Sequence, residues 1–281
     1  MNQSATALRA GFTRGLIELR QSFTGAGLFS HLLWPVITLV AISFLRDRRF
    51  GASGFTLGTF ILPSVLGMFI ALGMLLAIQY LTAEREDGTL LRARAIPNGI
   101  PAYFIGKLVT VSGTILAYLT ILLIPGMLIV GGLDIGSIRS WLTLAWVLLL
   151  GLAATQSIGA VLGSLISGAR GAGSMSILVV GLIAISGIFY PITSMPPWLQ
   201  WIAQVFPIYW LGLGMRSALL PASWVGAEIG DSWRHLETVG VLGAWALLGL
   251  IVAPIVLGRM ARRESGSRVA ERRVRALQRV G

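Results

Sequence analysis

Apolar residues gather into six stretches along this chain, 29–45, 57–81, 105–130, 141–166, 174–189 and 236–257, with hardly a charge inside them. Each approaches or exceeds the ~20 residues a helix needs to cross ~30 Å of hydrocarbon. The pattern predicts an all-α polytopic membrane protein with six transmembrane helices. Ahead of them, Leu8, Phe12, Leu16, Leu19 and Phe23 recur at helical spacing with Arg9, Thr13, Arg14 and Arg20 between. That is a helix with one greasy stripe and a basic side, expected to lie in the membrane interface; the alternative is an ordinary helix packed on the bundle. Residues 190–210 carry Pro191, Pro196, Pro197 and Pro207 among Trp198, Trp201, Phe206, Tyr209 and Trp210. Too broken for a plain span and too greasy for a solvated loop, they predict a re-entrant external helical hairpin between spans five and six. An aromatic belt on an external loop is the other reading. The chain divides into a cytoplasmic amphipathic helix (1–27), a six-helix membrane domain (28–258) and a basic cytoplasmic tail (259–281).

Composition strengthens this picture. Hydrophobic residues make up 55% and charged residues 12%, with a mean hydropathy of +0.81, which excludes an ordinary soluble domain. The net charge of +11 sits at span ends and in the tail, where anionic lipid headgroups account for it and nucleic acid is not needed. Cytoplasmic termini place Arg9, Arg14, Arg20, Arg85, Arg92, Arg94, Lys107, Arg170 and the arginines from Arg259 onward inside, against six basic residues outside. Arg46, Arg48 and Arg49 are the local exception. There is no cysteine, so disulfides and thiolate metal sites are excluded. Met1 to Ser30 shows no removable signal peptide.

Acids are essentially absent from the predicted spans, Glu237 lying at the very start of the sixth, and His31 and His235 fall at the edges of the first and the sixth, so no gradient-driven proton or ion relay is visible. The chain also lacks a phosphate-cradling Gly-rich loop ending in Lys and Ser or Thr. Energy, if used, must come from a partner. No HExxH or His-Cys-Asp cluster suggests a metal or catalytic site, and Ser157, Ser164 and Ser186 read as helix-contact residues. The one loop dense in polar residues reads TAEREDGTLLRARAIPNGIP from Thr82. Glu84, Glu86 and Asp87 precede Gly88 and Thr89. Leu90, Leu91, Ala93, Ala95 and Ile96 then give an apolar face interrupted by Arg92 and Arg94, and Pro97 and Gly99 stop the helix. Such a helix on the membrane face is something a soluble motor could push; the plain alternative is a solvated turn.

Two stretches carry a resemblance. Glu84-Arg85-Glu86-Asp87-Gly88-Thr89-Leu90, followed by Pro97 and Gly106-Lys107, resembles the loop between spans two and three of type-2 ABC exporter permeases, the family that includes bacterial drug and antibiotic efflux permeases. Ser186-Gly187-Ile188-Phe189-Tyr190-Pro191-Ile192, with Met195-Pro196, Leu199-Gln200, Pro207, Tyr209 and Arg216, resembles its signature after span five. The resemblance implies a multi-pass subunit of the bacterial cell membrane that pairs with a second copy or a sister permease. Two ABC ATP-binding subunits would hold the ATP and Mg²⁺, with no cofactor and no catalytic site in this chain. It implies an ATPase-coupling helix around Glu84 to Arg92, with Leu91 and Arg92 where many relatives carry an acid. It also implies an outer gate built from Phe189, Tyr190, Pro191, Met195, Pro196, Trp198, Pro207 and Tyr209.

Spans two and five, taken as lining the dimer seam, offer Met68, Phe69, Met74, Met175 and Ile183 as an apolar substrate path. That wall suits hydrophobic or amphiphilic small molecules, as in drug or antibiotic efflux. Export of a lipid, lipid-linked glycan or polysaccharide is the alternative; a membrane-integral lipid-modifying enzyme and a purely structural subunit come after it. The same methionines and aromatics could merely fill helix contacts.

Overall fold

Long apolar runs without water to satisfy their backbone can only close their hydrogen bonds internally, and the described residues (3–49, 56–166 and 169–263 of this computed structural model) are accordingly helical, with no strand among them. In chain order they are α1 (Gln3–Ser22), α2 (Ala26–Leu45), α3 (Leu57–Glu86), α4 (Thr89–Arg94), α5 (Gly99–Ile129), α6 (Ile138–Leu165), α7 (Ala169–Ile185), α8 (Pro197–Val205), α9 (Pro207–Leu219) and α10 (His235–Arg263). The protein is a multi-pass membrane protein: α2, α3, α5, α6 and α10 are each long and apolar enough to cross a bilayer.

The expected fifth crossing differs from its prediction. α7 is apolar but only 17 residues long, about 26 Å as helix. It stops because the Ser186 hydroxyl donates to the Ile183 carbonyl at 2.7 Å and Gly187 turns the chain at φ 68°. Ile188 then packs against Gly67 and Gly212. Gly67 is about ten residues, or about 15 Å, into α3, so the turn after α7 sits well below the end of its neighbour.

From there α8 and α9 meet at Phe206–Pro207. The Trp245 indole donates to the Val205 carbonyl at 2.9 Å, and Phe206 stacks on Trp245, again about 15 Å into α10. α9 returns to Leu219, whose carbonyl accepts the Asp134 amide at 2.9 Å.

α3 is the hub, packed by α2, α5, α6, α7 and α9. In α3 72% of the most apolar window is buried inside the chain, against 11% in α2. α3, expected at a seam, is thus largely enclosed by its own chain, and open apolar faces remain on other helices, among them α2, with Val36, Ile37, Val40 and Phe44, and α7, with Ile177, Leu178 and Val180.

α1 combines its two expected settings. Its greasy stripe, Leu8, Phe12 and Leu16, is exposed, while the adjacent face with Gly11 and Gly15 packs on α5. A Cβ on Gly11 would stand 2.4 Å from the Ala102 carbonyl oxygen, and one on Gly15 2.6 Å from that of Gly106. Glycine at both positions lets the backbones touch. His31 lies near the start of α2, as expected. Its Nδ1 meets the Tyr118 hydroxyl at 2.5 Å, well inside α5. The basic tail beyond Arg263 lies outside the described residues.

Candidate functional site

Where α3 and α5 run past their apolar stretches, they carry α4 between them, and the charged residues of the loop fall into place around it. Asp87 caps the short helix: its Oδ1 accepts the Thr89 amide at 2.8 Å, across Gly88 at φ 80°. Gly88 belongs there because a side chain would be strained in that conformation. Arg92 donates to the Thr89 hydroxyl at 2.8 Å. Leu90 and Ala93 are buried with Leu81, Phe104, Leu257 and Met260. Leu91 is half-buried, and Arg92, Arg94, Ala95 and Ile96 face outward. Arg94 donates to the Ala261 and Arg262 carbonyls at 3.1 and 3.3 Å, and Arg85 to the Ile166 carbonyl at 2.5 Å. α4 is thereby fastened to α10, and the end of α3 to the end of α6. Glu86 is half-buried and forms no ion pair or hydrogen bond among the described residues.

Beneath α4 lies an ionic knot. Lys107 of α5 pairs with Glu84 of α3 and, at 2.5 Å, with Glu18 of α1. Arg14 holds the other oxygen of Glu18 at 2.8 Å, and the Tyr103 hydroxyl donates to Glu84 at 2.5 Å. The Lys107 ammonium also lies 5.1 Å from the Tyr80 ring centre, a favourable place for a cation. Burial pushes the Glu18 carboxyl up, but hydrogen bonds from Lys107 and Arg14 and their charges outweigh it and hold the carboxyl below its ordinary value of 4.5. Arg14 is held above its ordinary value: burial lowers it, and the bond and charge of Glu18 more than compensate. Two cations and two carboxylates balance, so α1, α3 and α5 are joined with no uncompensated charge. Next to the knot, a cleft of about 440 Å³ opens between α1 and the 93–99 turn, lined by Ala7, Ala10, Gly11, Ile96, Pro97 and Ala102.

Of the residues the sequence singled out here, Glu84 enters the knot, Asp87, Gly88 and Thr89 shape the start of α4, and Glu86 and Arg92 face its surface. Glu18, Arg14 and Tyr103 were not anticipated. A signal for two members existed: Lys107 is the chain's single lysine, and Glu18 the single acid before Asp47.

The residues assigned to an outer gate lie on the α7–α9 segment. Phe189 and Trp198 are exposed, Pro207 and Tyr209 are buried, and the Tyr190 hydroxyl donates to the Ala184 carbonyl at 2.5 Å. Those assigned to a substrate path are distributed differently from an open wall. Phe69, Met74 and Ile183 are buried core residues, and Met68 and Met175 are half-buried against them. Met74 alone borders the crevice of about 300 Å³ between α3, α6, α7, α9 and α10, whose lining is wholly apolar, with Leu178, Leu182, Phe206, Trp245 and Leu248.

Residues 47–258 match the family described as ABC-2 family transporter protein, and the chain belongs to that family. It is therefore an ABC-2 type permease, a membrane component that works with ATP-binding partner subunits. No curated protein matches the chain.

Proposed function

We propose that this chain is the membrane half of a bacterial exporter of hydrophobic or amphiphilic small molecules, in the manner of drug or antibiotic efflux. It crosses the cell membrane six times, with α7 and the turn after it as the fifth crossing and α8–α9 as a re-entrant outer hairpin, and both termini are cytoplasmic. Two ATP-binding subunits hold ATP and Mg²⁺ and seat against α4; this chain performs no chemistry of its own. A second copy or a sister permease meets it along α2 and α7, whose apolar faces are open, rather than along enclosed α3.

The observation that carries the reading is the knot under α4. A push on the exposed face of α4 reaches α3 and α5 directly and α1 through Lys107 and Glu18, while Arg94 passes it to α10. A short helix that only covered a loop would not need fastening to three others. The wholly apolar crevice beside Met74 supports an apolar cargo, since a glycan would need hydrogen-bonding groups in its path.

Co-purification with a co-expressed ABC ATPase, followed by ATP hydrolysis in proteoliposomes against panels of hydrophobic drugs and of lipids, tests the proposal. Association and drug-stimulated hydrolysis are expected. Stimulation by lipids or lipid-linked glycans alone would move the substrate to the alternative class. Turnover of lipid by the isolated chain without ATP would make it an enzyme, and failure to bind any ATPase would overturn the reading. Glu86→Arg reverses charge on the exposed loop: ATPase binding should weaken about tenfold while membrane insertion is unchanged, and equal binding would exclude Glu86 from the contact.

A further inference from the structure

At the end of the molecule opposite α4, a second charged contact lies wholly inside the protein. Arg216 of α9 and Glu228 of the segment before α10 have side-chain exposures of 0% and 2%, with Nε donating to Oε1 at 2.6 Å. The guanidinium reaches further: Nη1 donates to the Ile188 carbonyl at 3.2 Å, and Cζ lies 5.3 Å from the ring centre of Phe60, near the start of α3. One side chain thus gathers α3, the turn after α7, α9 and the 222–231 segment.

The gathering is incomplete in a telling way. Arg216 Nη2, Glu228 Oε2 and the Tyr209 hydroxyl are all buried with no hydrogen-bond partner among the described residues. Arginine and a carboxylate can engage through two parallel bonds; here one is made. The cost of taking both charges out of water is therefore only partly recovered, and admitting water would satisfy all three idle atoms at once. A permanent staple would use both arms.

The neighbouring contacts show which part is free to move. The α8–α9 joint is held to α10 by Trp245 on the Val205 carbonyl, and Gln204 is gripped by Arg234 at 2.7 Å and by Trp210 at 2.7 Å. Among the hydrogen bonds that reach the Gly187–Pro191 turn from outside its own segment, the one from Arg216 to Ile188 crosses to α9. Otherwise Ile188 rests on Gly67 and Gly212 by packing alone.

We infer that Arg216 and Glu228 form the latch of the outer gate: the pair holds the Gly187–Pro191 turn against α9 in the closed state, and its separation, wetting both charges, lets the turn swing away while the α8–α9 joint stays anchored. Arg216 is a positioning residue in this scheme and touches no cargo. The inference rests on the exporter reading for the meaning of the gate, and on the geometry alone for the latch.

Because the chain has no cysteine, Ile192→Cys places a single thiol at a buried site beside the turn and away from the latch itself. Its reaction with a membrane-impermeant maleimide reports whether the turn has opened. In liposomes holding the chain alone, adding R216M with E228M should raise the labelling rate at least tenfold while the thermal transition is retained. E228Q and R216K, which keep size and weaken one partner each, should give intermediate rates and serve if the double variant does not fold. An unchanged rate in folded variants overturns the latch. In liposomes holding the ATPase complex, trapping with ATP and vanadate should accelerate labelling of the latched protein and leave the unlatched protein at its already high rate. Faster labelling on unlatching, with no response to nucleotide, would keep the latch and discard the exporter reading.

Discussion

The two ends of this molecule each hold a neutral cluster of charges, and they are built in opposite ways. At the α4 end, Lys107, Glu84 and Glu18 retain 10%, 15% and 23% side-chain exposure, and Arg14 and Tyr103 duplicate the contacts. At the far end, Arg216 and Glu228 stand alone and dry, with polar atoms left over. Partly wet, redundant ion pairs lose little when one member shifts, whereas an isolated dry pair is all or nothing. The first arrangement suits a joint that transmits a push without coming apart; the second suits a contact with two states.

The largest effect should come from halving the dry pair. Arg216→Met leaves Glu228 buried without a partner, which costs about 3–5 kcal/mol. The melting temperature of the detergent-solubilised chain should fall markedly, and R216M/E228M should recover most of the loss. If the single variant melts like the parent, the two ends do not differ as described. Lys107→Met is the matching change at the α4 end. It leaves Glu18 to Arg14 and Glu84 to the Tyr103 hydroxyl, both within reach of water, so a smaller loss, of about 2 kcal/mol, is expected, along with faster proteolysis of α1; a loss larger than that of Arg216→Met would invert the comparison.

Gly15→Val separates packing from charge at the same joint. Its Cβ would stand 2.6 Å from the Gly106 carbonyl oxygen and 2.7 Å from the Val109 Cβ, and overpacking of this kind costs about 1–3 kcal/mol. Hydrogen exchange should rise in α1 and remain unchanged in α9. The smallest effect concerns acid. The Glu18 carboxyl is held below its unfolded value of 4.5, so its stabilising contribution is complete above that value and is lost as pH falls through the lower folded one. Because Glu18 is partly exposed, solvent screening keeps this loss the smallest of the four effects. It should appear as loosening of α1 in hydrogen exchange between pH 5 and 3, and should vanish in Glu18→Gln.

Much of this architecture is written in the order of residues. A span is a matter of hydropathy over a length, so α2, α3, α5, α6 and α10 could be read from composition and periodicity, as could α4 from its acids, Gly88 and Pro97. What hydropathy cannot say is which side of a span meets protein. α2 and α3 have mean hydropathies of 2.0 and 2.4, yet one lies open and the other is the core, because lipid and packed side chains are equally apolar neighbours. For the same reason hydropathy does not tell Met74, which borders a crevice, from Ile183, which is buried in the core.

Sequence by itself determined that this protein is a helical membrane bundle, which segments form its long apolar helices, and which loop is chemically distinct, since those properties depend on each segment's own transfer from water. Tertiary structure decided that Glu18 shares Lys107 with Glu84, that the single pair Arg216 and Glu228 meet in a dry interior, and that α7 ends early behind Gly187. Each of these joins residues on different segments, and a charge finds its partner through the closeness of folded backbones, a distance that local periodicity does not encode.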